Sequence, residues 1–203
     1  MNGLLAWSLV GLGLGVIVVR RRRVAVALVT AQALILAGIA LDTTSGGGDV
    51  GAAVALAVRG IALAALFLLV VSRTREARPV RAGTAPLVRA GIGVLLALAL
   101  TWLVPTVGLE SRTAERAVLA LVAFGLVVAA LRVATLFQIL GIVLLENGVA
   151  LAALELPGGS SLAIELGVAL DLTFIAIVAV VFHEKIFDEF GAGDSARLRS
   201  LRD

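Results

Sequence analysis

Long apolar runs dominate this sequence. Stretches of about 15 to 22 residues consist almost entirely of Ala, Val, Leu, Ile and Gly, and a helix of that length can cross a bilayer. The chain is 61% hydrophobic and its mean hydropathy is +1.11, whereas soluble domains are about 45–50% apolar. We therefore expect an all-α, polytopic membrane protein that forms one integral-membrane unit.

The runs predict seven transmembrane spans. Their bounds are Leu4 to Val19, Val24 to Leu41, Val50 to Val71, Leu87 to Val104, Ala117 to Leu131, Val133 to Leu154, and Leu162 to Phe182. Pro105 is expected to stop the fourth span, and Arg132 marks a very tight turn between the fifth and the sixth. This divides the chain into a four-helix region (1–112), a three-helix unit (113–182) and a charged tail (183–203).

The distribution of positive charge predicts the orientation. Lys and Arg collect on the cytoplasmic side of membrane proteins. If the arginines after the first span are placed on one side, 14 of the 17 basic residues share that side. They are Arg20 to Arg23, Arg73, Arg75, Arg78, Arg81, Arg89, Arg132, Lys185, Arg197, Arg199 and Arg202. We therefore expect the N-terminus outside and the C-terminus in the cytoplasm, and we do not interpret the pI of about 10.9 as nucleic-acid binding.

The composition also bears on redox chemistry. The chain has no Cys and a single His, His183. That excludes an iron–sulfur cluster held by Cys and argues against a self-contained zinc or haem site. We expect no metal, no cofactor and no catalytic residue in this chain. If it serves a redox machine, the electrons move in another subunit.

Several polar residues interrupt the apolar spans at a common depth. Gln32, Arg59, Glu146 and Asp171 each lie about 12 to 14 Å from the predicted outer end of their span, at a helical rise of about 1.5 Å per residue. They belong to four different spans, so they would form one layer near the middle of the bilayer. A path that runs in the plane of the membrane would need such a layer.

The chemistry that this layer suggests is proton handling. A carboxylate inside hydrocarbon costs roughly 2.5 kcal/mol or more, and low dielectric favours its neutral form. Glu146 and Asp171 are therefore expected to gain and lose protons near neutral pH. Arg59 stays charged and could move between them. The alternative is an inert structural ion pair, although one arginine would leave one of the two acids unpaired.

Three further polar residues have weaker assignments. Glu165 lies only about 5 Å below the predicted outer surface, so a relay role and a hydrated helix start are equally consistent with its position. Gln138 and Asn147, like Gln32, are expected to support the layer through hydrogen bonds more than to carry protons individually.

The sequence from Gln138 to Asp171 resembles component E of hydrogenase-4-type membrane complexes, whose [NiFe] hydrogenase or related redox module is coupled to an ion-pumping membrane arm. The similarity is carried by Gln138-Ile139-Leu140-Gly141, Leu145-Glu146-Asn147-Gly148, Ile164-Glu165-Leu166-Gly167 and Asp171. The last three spans resemble, more distantly, the K subunit of respiratory complex I and the C subunit of multisubunit Na⁺/H⁺ antiporters.

The resemblance implies roles for particular residues. In K-type subunits two intramembrane glutamates take part in proton transfer; Glu146 lies where the first falls, and Asp171 replaces the second. The three-helix unit would then be a K-like proton-relay unit. Gln32 and the basic residue in the third span also match component E, although Arg59 stands where Lys is expected. Because Arg gives up its proton far less readily, the resemblance does not imply that Arg59 itself carries one.

The resemblance implies a non-catalytic membrane subunit of an oxidoreductase complex. It would relay protons or Na⁺ between antiporter-like and redox-side membrane subunits in the cytoplasmic (inner) membrane of a prokaryote. Its partners would be those subunits and the lipid bilayer, with no nucleic acid and no soluble small-molecule substrate. Two alternatives remain: a passive scaffold of the membrane arm, and a subunit of a multisubunit Na⁺/H⁺ antiporter.

Overall fold

The described part of the chain is entirely helical. A computed structural model describes residues 3–42, 50–73, 84–106, 108–109 and 111–156, together with positions 177 and 180. It contains six α-helices in these ranges. They are α1 (Gly3–Val18), α2 (Arg22–Asp42), α3 (Val50–Arg73), α4 (Pro86–Leu103), α5 (Arg112–Leu131) and α6 (Thr135–Leu154).

The helices have the character of membrane spans. Five of them, α2 to α6, are long and apolar enough to cross a bilayer, and α1 is a shorter apolar helix of 16 residues. The prediction of an all-α, multi-pass membrane protein is confirmed for the described residues. The seventh predicted span lies outside them except for positions 177 and 180, which are helical. The count of seven spans and the orientation stay predictions.

One predicted boundary is wrong. The fifth span was expected to begin at Ala117, after a polar loop, but α5 begins at Arg112. The Ser111 side chain accepts a hydrogen bond from the Thr113 backbone N–H at 3.2 Å and so caps the helix. Glu115 adds an acidic group to the first turn, where it complements the positive end of the helix dipole. The cap therefore extends the helix through residues that hydropathy alone assigns to a loop.

Helices α5 and α6 form the closest pair, and glycine makes their contact possible. A Cβ atom added to Gly141 would lie 2.6 Å from the Ala129 backbone N and 2.8 Å from the Gly125 carbonyl O. A Cβ added to Gly125 would meet the Gly141 carbonyl O at 2.7 Å. Small residues allow two backbones to approach in this way where no hydrophobic force drives helices together. Hence a side chain at either glycine would overpack this crossing.

Helix α1 packs against three other helices. It contacts α2, α4 and α5, while α2 also packs against α3 and α6. Helix α4 packs against α5 and α1, and its opposite face carries exposed apolar side chains suited to lipid. They include Leu95 and Leu103, which are 68% and 78% exposed. The helices thus enclose a packed interior, and one face of α4 lies at the surface of the bundle.

A buried arginine ties the α5–α6 turn to the end of α1. Arg132 follows α5 directly, and its Nη2 donates to the carbonyl oxygens of Val16, Ile17 and Val19, the first two at 3.3 and 3.1 Å. Its guanidinium also lies 4.0 Å from the centre of the Phe137 ring. Burial, with smaller contributions from Arg89 and Arg20, lowers the pKa of Arg132 to about 10. Arg132 remains charged at neutral pH and satisfies carbonyls that the end of α1 leaves open.

Candidate functional site

A line of hydrogen bonds crosses the bundle through four helices. It begins on α1, where the Leu9 carbonyl oxygen accepts from Nε2 of Gln32 on α2 at 2.8 Å. Oε1 of Gln32 accepts from Nδ2 of Asn147 on α6 at 3.4 Å. Oδ1 of Asn147 in turn accepts from Nη2 of Arg59 on α3 at 3.3 Å. Nη1 of Arg59 completes the line as an ion pair with Oε1 of Glu146. We call these four side chains the polar network.

The polar network is almost fully enclosed. Gln32 and Asn147 are 0% exposed, Arg59 is 4% exposed and Glu146 is 8% exposed. An isolated charge at such a place would be very costly. Pairing between Arg59 and Glu146, together with the amide contacts, offsets that cost. Each of the two charges is therefore stabilised by its partner inside the protein.

Gly60 allows Arg59 to reach across the bundle. A Cβ added to Gly60 would lie 2.7 Å from the Cβ of Ala33 on α2, so α3 and α2 approach closely beside the site. Helix α3 packs mainly along α2, yet the long side chain of Arg59 extends past it to α6. The close crossing of two backbones thus positions the one basic side chain of the network.

A small cavity adjoins the network. It has a volume of about 10 Å³ and is lined by Arg59 and Asn147 together with apolar residues such as Phe67, Leu140 and Val143. This is close to the space that one water molecule needs, about 10–15 Å³ by this measure. Within the described residues, Nε of Arg59 has no hydrogen-bond partner. A water in this cavity would therefore find polar partners at the guanidinium and the amide.

The structure brings together four of the seven side chains that the sequence singles out: Gln32, Arg59, Glu146 and Asn147. Gln138 lies elsewhere, in the first turn of α6, where its Nε2 donates to the Arg132 carbonyl oxygen at 2.9 Å. It precedes Glu146 by about 12 Å along the helix. Glu165 and Asp171 lie outside the described residues, so their predicted places remain untested.

Asn147 supports the layer through hydrogen bonds, as the sequence predicted. It joins Gln32 to Arg59. Adjacent residues on a helix point about 100° apart. Glu146 and Asn147 therefore extend from one turn of α6 in two different directions. The sequence signal for this arrangement is an amide residue next to a carboxylate residue in the middle of a predicted span.

Two buried arginines were also missed. Arg89 in the first turn of α4 and Arg132 after α5 are 0% and 2% exposed, although the sequence places both among surface charges of the cytoplasmic side. Arg89 Nη1 donates to the Thr84 carbonyl oxygen at 2.8 Å. Both belong to the ends of helices and lie outside the polar network.

Comparison with curated proteins finds a relative at moderate identity. Uncharacterized protein Rv0085 of Mycobacterium tuberculosis is 37% identical, and the alignment covers 76% of this chain and 72% of the relative. The chain belongs to the Rv0085 family. No protein-family model matches it, and no solved structure matches it significantly.

In this member of the Rv0085 family, the polar network holds one carboxylate, one guanidinium and two amides, all buried among the described helices. Glu146 supplies the acid of the network, and Arg59 supplies the cation that pairs with it. Asn147 and Gln32 supply amide groups that can both donate and accept hydrogen bonds.

Proposed function

We propose that this protein is a membrane-arm subunit of a hydrogenase-4-like energy-converting redox complex, in which mid-membrane carboxylates relay protons or Na⁺. The observation that carries the proposal is the ion pair of Arg59 with Glu146, set in a hydrogen-bonded line across four helices. The resemblance of 138–171 to component E and to K-type subunits supplies the class of complex.

Glu146 is the proposed proton carrier of the described part. When its carboxylate is ionised, Arg59 stabilises it directly. If Arg59 turns away, the low dielectric favours the neutral acid, and Glu146 takes up a proton. A proton can then leave when Arg59 returns. The motion of a charge on α3 is thereby converted into proton uptake and release on α6.

Arg59, Gln32 and Asn147 have supporting roles in this mechanism. Asn147 accepts a hydrogen bond from one end of the guanidinium, and Gln32 connects Asn147 to α1. The water-sized cavity beside Arg59 offers a site for a bridging water molecule. In the proposal Asp171 and Glu165 extend the path along the seventh span, and Gln138 supports it from the inner end of α6.

The proposal places the chain in the cytoplasmic membrane of a prokaryote, beside antiporter-like subunits and redox-side membrane subunits. It forms no chemical bonds itself and carries no cofactor. Its task is to couple electron transfer in a partner to ion movement in the membrane.

Purification of the intact assembly tests the partner class. The tagged full-length chain is extracted from its native membrane in mild detergent, and the co-purifying proteins are identified by mass spectrometry. We expect hydrogenase-like large and small subunits and antiporter-like membrane subunits. Recovery of antiporter subunits without any redox subunit would support the Na⁺/H⁺ antiporter alternative and contradict the redox complex.

Neutralising the carboxylates tests the relay. We expect Glu146→Gln and Asp171→Asn to reduce redox-driven ion pumping into inverted vesicles by tenfold or more, while the complex still assembles. Glu115→Gln removes the same charge at the first turn of α5, outside the network, and should leave pumping intact. If both network variants assemble and pump normally, the relay is wrong and a passive scaffold remains.

A further inference from the structure

A cleft lies between α1, α4 and α5 at the end of the bundle opposite Arg20 to Arg23. Its volume is about 400 Å³, within the range of ligand-binding pockets. The walls are predominantly apolar, with Val10 from α1, Ala97 and Leu98 from α4, and Ala120 and Phe124 from α5. The cleft is separate from the polar network and from the function proposed for it.

Both tryptophans of the chain line this cleft. Trp7 belongs to α1 and Trp102 to α4, and they are 62% and 90% exposed. Tryptophan is enriched at the level of lipid headgroups, where its ring is partly in hydrocarbon and partly hydrated. The two rings therefore mark where the cleft reaches the membrane–water interface.

A second cavity of about 340 Å³, with a more polar lining than the cleft, adjoins it at this end of the bundle. It is lined by Thr106, Arg112 and Glu115, and it shares Arg116 and Trp102 with the apolar cleft. Arg112 and Arg116 are exposed, whereas Glu115 is 9% exposed. Among the described lining residues, two arginines and one glutamate give this end of the site a net positive charge. The apolar cleft therefore adjoins a cavity that is lined by two arginines.

We propose that this cleft binds one anionic phospholipid, with an acyl chain between α1, α4 and α5 and the phosphate at Arg112 and Arg116. Arginine is well suited to phosphate because its planar guanidinium can donate two parallel hydrogen bonds. The apolar walls match an acyl chain, and the tryptophans lie at the depth of the headgroup. The site thus offers an apolar surface to the acyl chain and a cationic surface to the phosphate, arranged along the membrane normal as in a phospholipid.

The size of the cleft favours a flexible chain over a partner helix. A helix is about 10–12 Å in diameter and rises 5.4 Å per turn, so 400 Å³ would hold only about one turn. An acyl chain can instead follow the slot between the three helices. A zwitterionic phospholipid would fit the apolar part equally well, but it would gain less from the net positive charge of the adjoining cavity.

Intrinsic fluorescence tests the proposal, because both emitting residues line the cleft. The full-length protein is reconstituted in phosphatidylcholine bilayers that contain a small fraction of acyl-brominated phosphatidylglycerol or acyl-brominated phosphatidylcholine. Bromine quenches tryptophan on contact. We expect the anionic lipid to quench several-fold more strongly at equal mole fraction, and we expect high salt to reduce the difference. Equal quenching by both lipids would overturn the proposal.

Variants test which residues cause the stronger quenching by the anionic lipid. Arg112→Gln with Arg116→Gln should abolish it, whereas Arg21→Gln with Arg23→Gln removes the same charge from exposed positions at the other end and should not. Ala97→Leu fills the slot without changing charge and should also reduce quenching by the anionic lipid. Retention of the preference in both the Arg112/Arg116 variant and Ala97→Leu would overturn the site.

Discussion

The ion pair of Arg59 and Glu146 is the residue-scale feature on which the account depends. Both side chains are buried, and each charge is stabilised by the other. Removal of one partner from a buried pair costs about 3–5 kcal/mol, because it leaves an uncompensated charge, whereas replacement of both by apolar residues is often neutral. The pair should therefore show strong energetic coupling.

A double-mutant cycle measures this coupling. We expect Arg59→Met and Glu146→Leu each to lower the free energy of unfolding by about 3–5 kcal/mol. The double variant should cost at least about 2 kcal/mol less than the sum of the two. The measurement is unfolding of the purified protein in mixed micelles with increasing sodium dodecyl sulfate.

The control cycle pairs Arg59→Met with Gln138→Leu, which lies in the first turn of α6 outside the network. These two effects should add to within about 0.5 kcal/mol. Additivity in the Arg59–Glu146 cycle as well would mean that the two side chains do not form a functional pair.

The sequence predicted a shared depth for Gln32, Arg59 and Glu146, but it left both Glu146 and Asp171 as possible partners of Arg59. Depth follows from the position along a span and the rise per residue, both of which can be read from hydropathy. The partner of Arg59 depends on which helices are neighbours and how each is rotated. Those features come from packing, such as the crossing of Gly60 against Ala33, and they leave no local signal.

At the scale of elements, the contact between α5 and α6 is the most sensitive. Gly141→Ala would place a methyl group 2.6 to 3.0 Å from backbone atoms of α5, which cannot rotate away as a side chain can. Overpacking of this kind costs about 1–3 kcal/mol, occasionally more. We expect Gly141→Ala to lower the free energy of unfolding by that amount, measured in the same micelles.

The matched control is Gly91→Ala on α4, where an added Cβ meets nothing within 4 Å. Its effect should lie between neutral and a gain of about 1 kcal/mol, since Ala favours a helix over Gly. A result in which the two substitutions have equal effects would contradict the packing described for α5 and α6.

Hydropathy predicted most helix ends well because lipid-facing and core-facing residues in a membrane are both apolar. It was wrong at α5, where Ser111 and Glu115 stabilise a helix start in polar sequence.

At the scale of the whole molecule, the predicted orientation of the chain in the membrane has a simple test. The chain contains no Cys, so single cysteines can be introduced without prior substitution. Thr106→Cys and Arg21→Cys lie at exposed positions on opposite ends of the bundle. In intact cells a membrane-impermeant maleimide should label Thr106→Cys and not Arg21→Cys. The reverse pattern would contradict the orientation predicted from charge.

The central claim is that Glu146 changes its protonation state while the assembled complex turns over. Infrared difference spectroscopy of the complex between its reduced and oxidised states measures this directly, through the carbonyl stretch of a protonated carboxyl group. The account predicts a carboxyl band that disappears in Glu146→Gln and persists in Glu115→Gln. An assembled Glu146→Gln complex with an unchanged difference spectrum would contradict it.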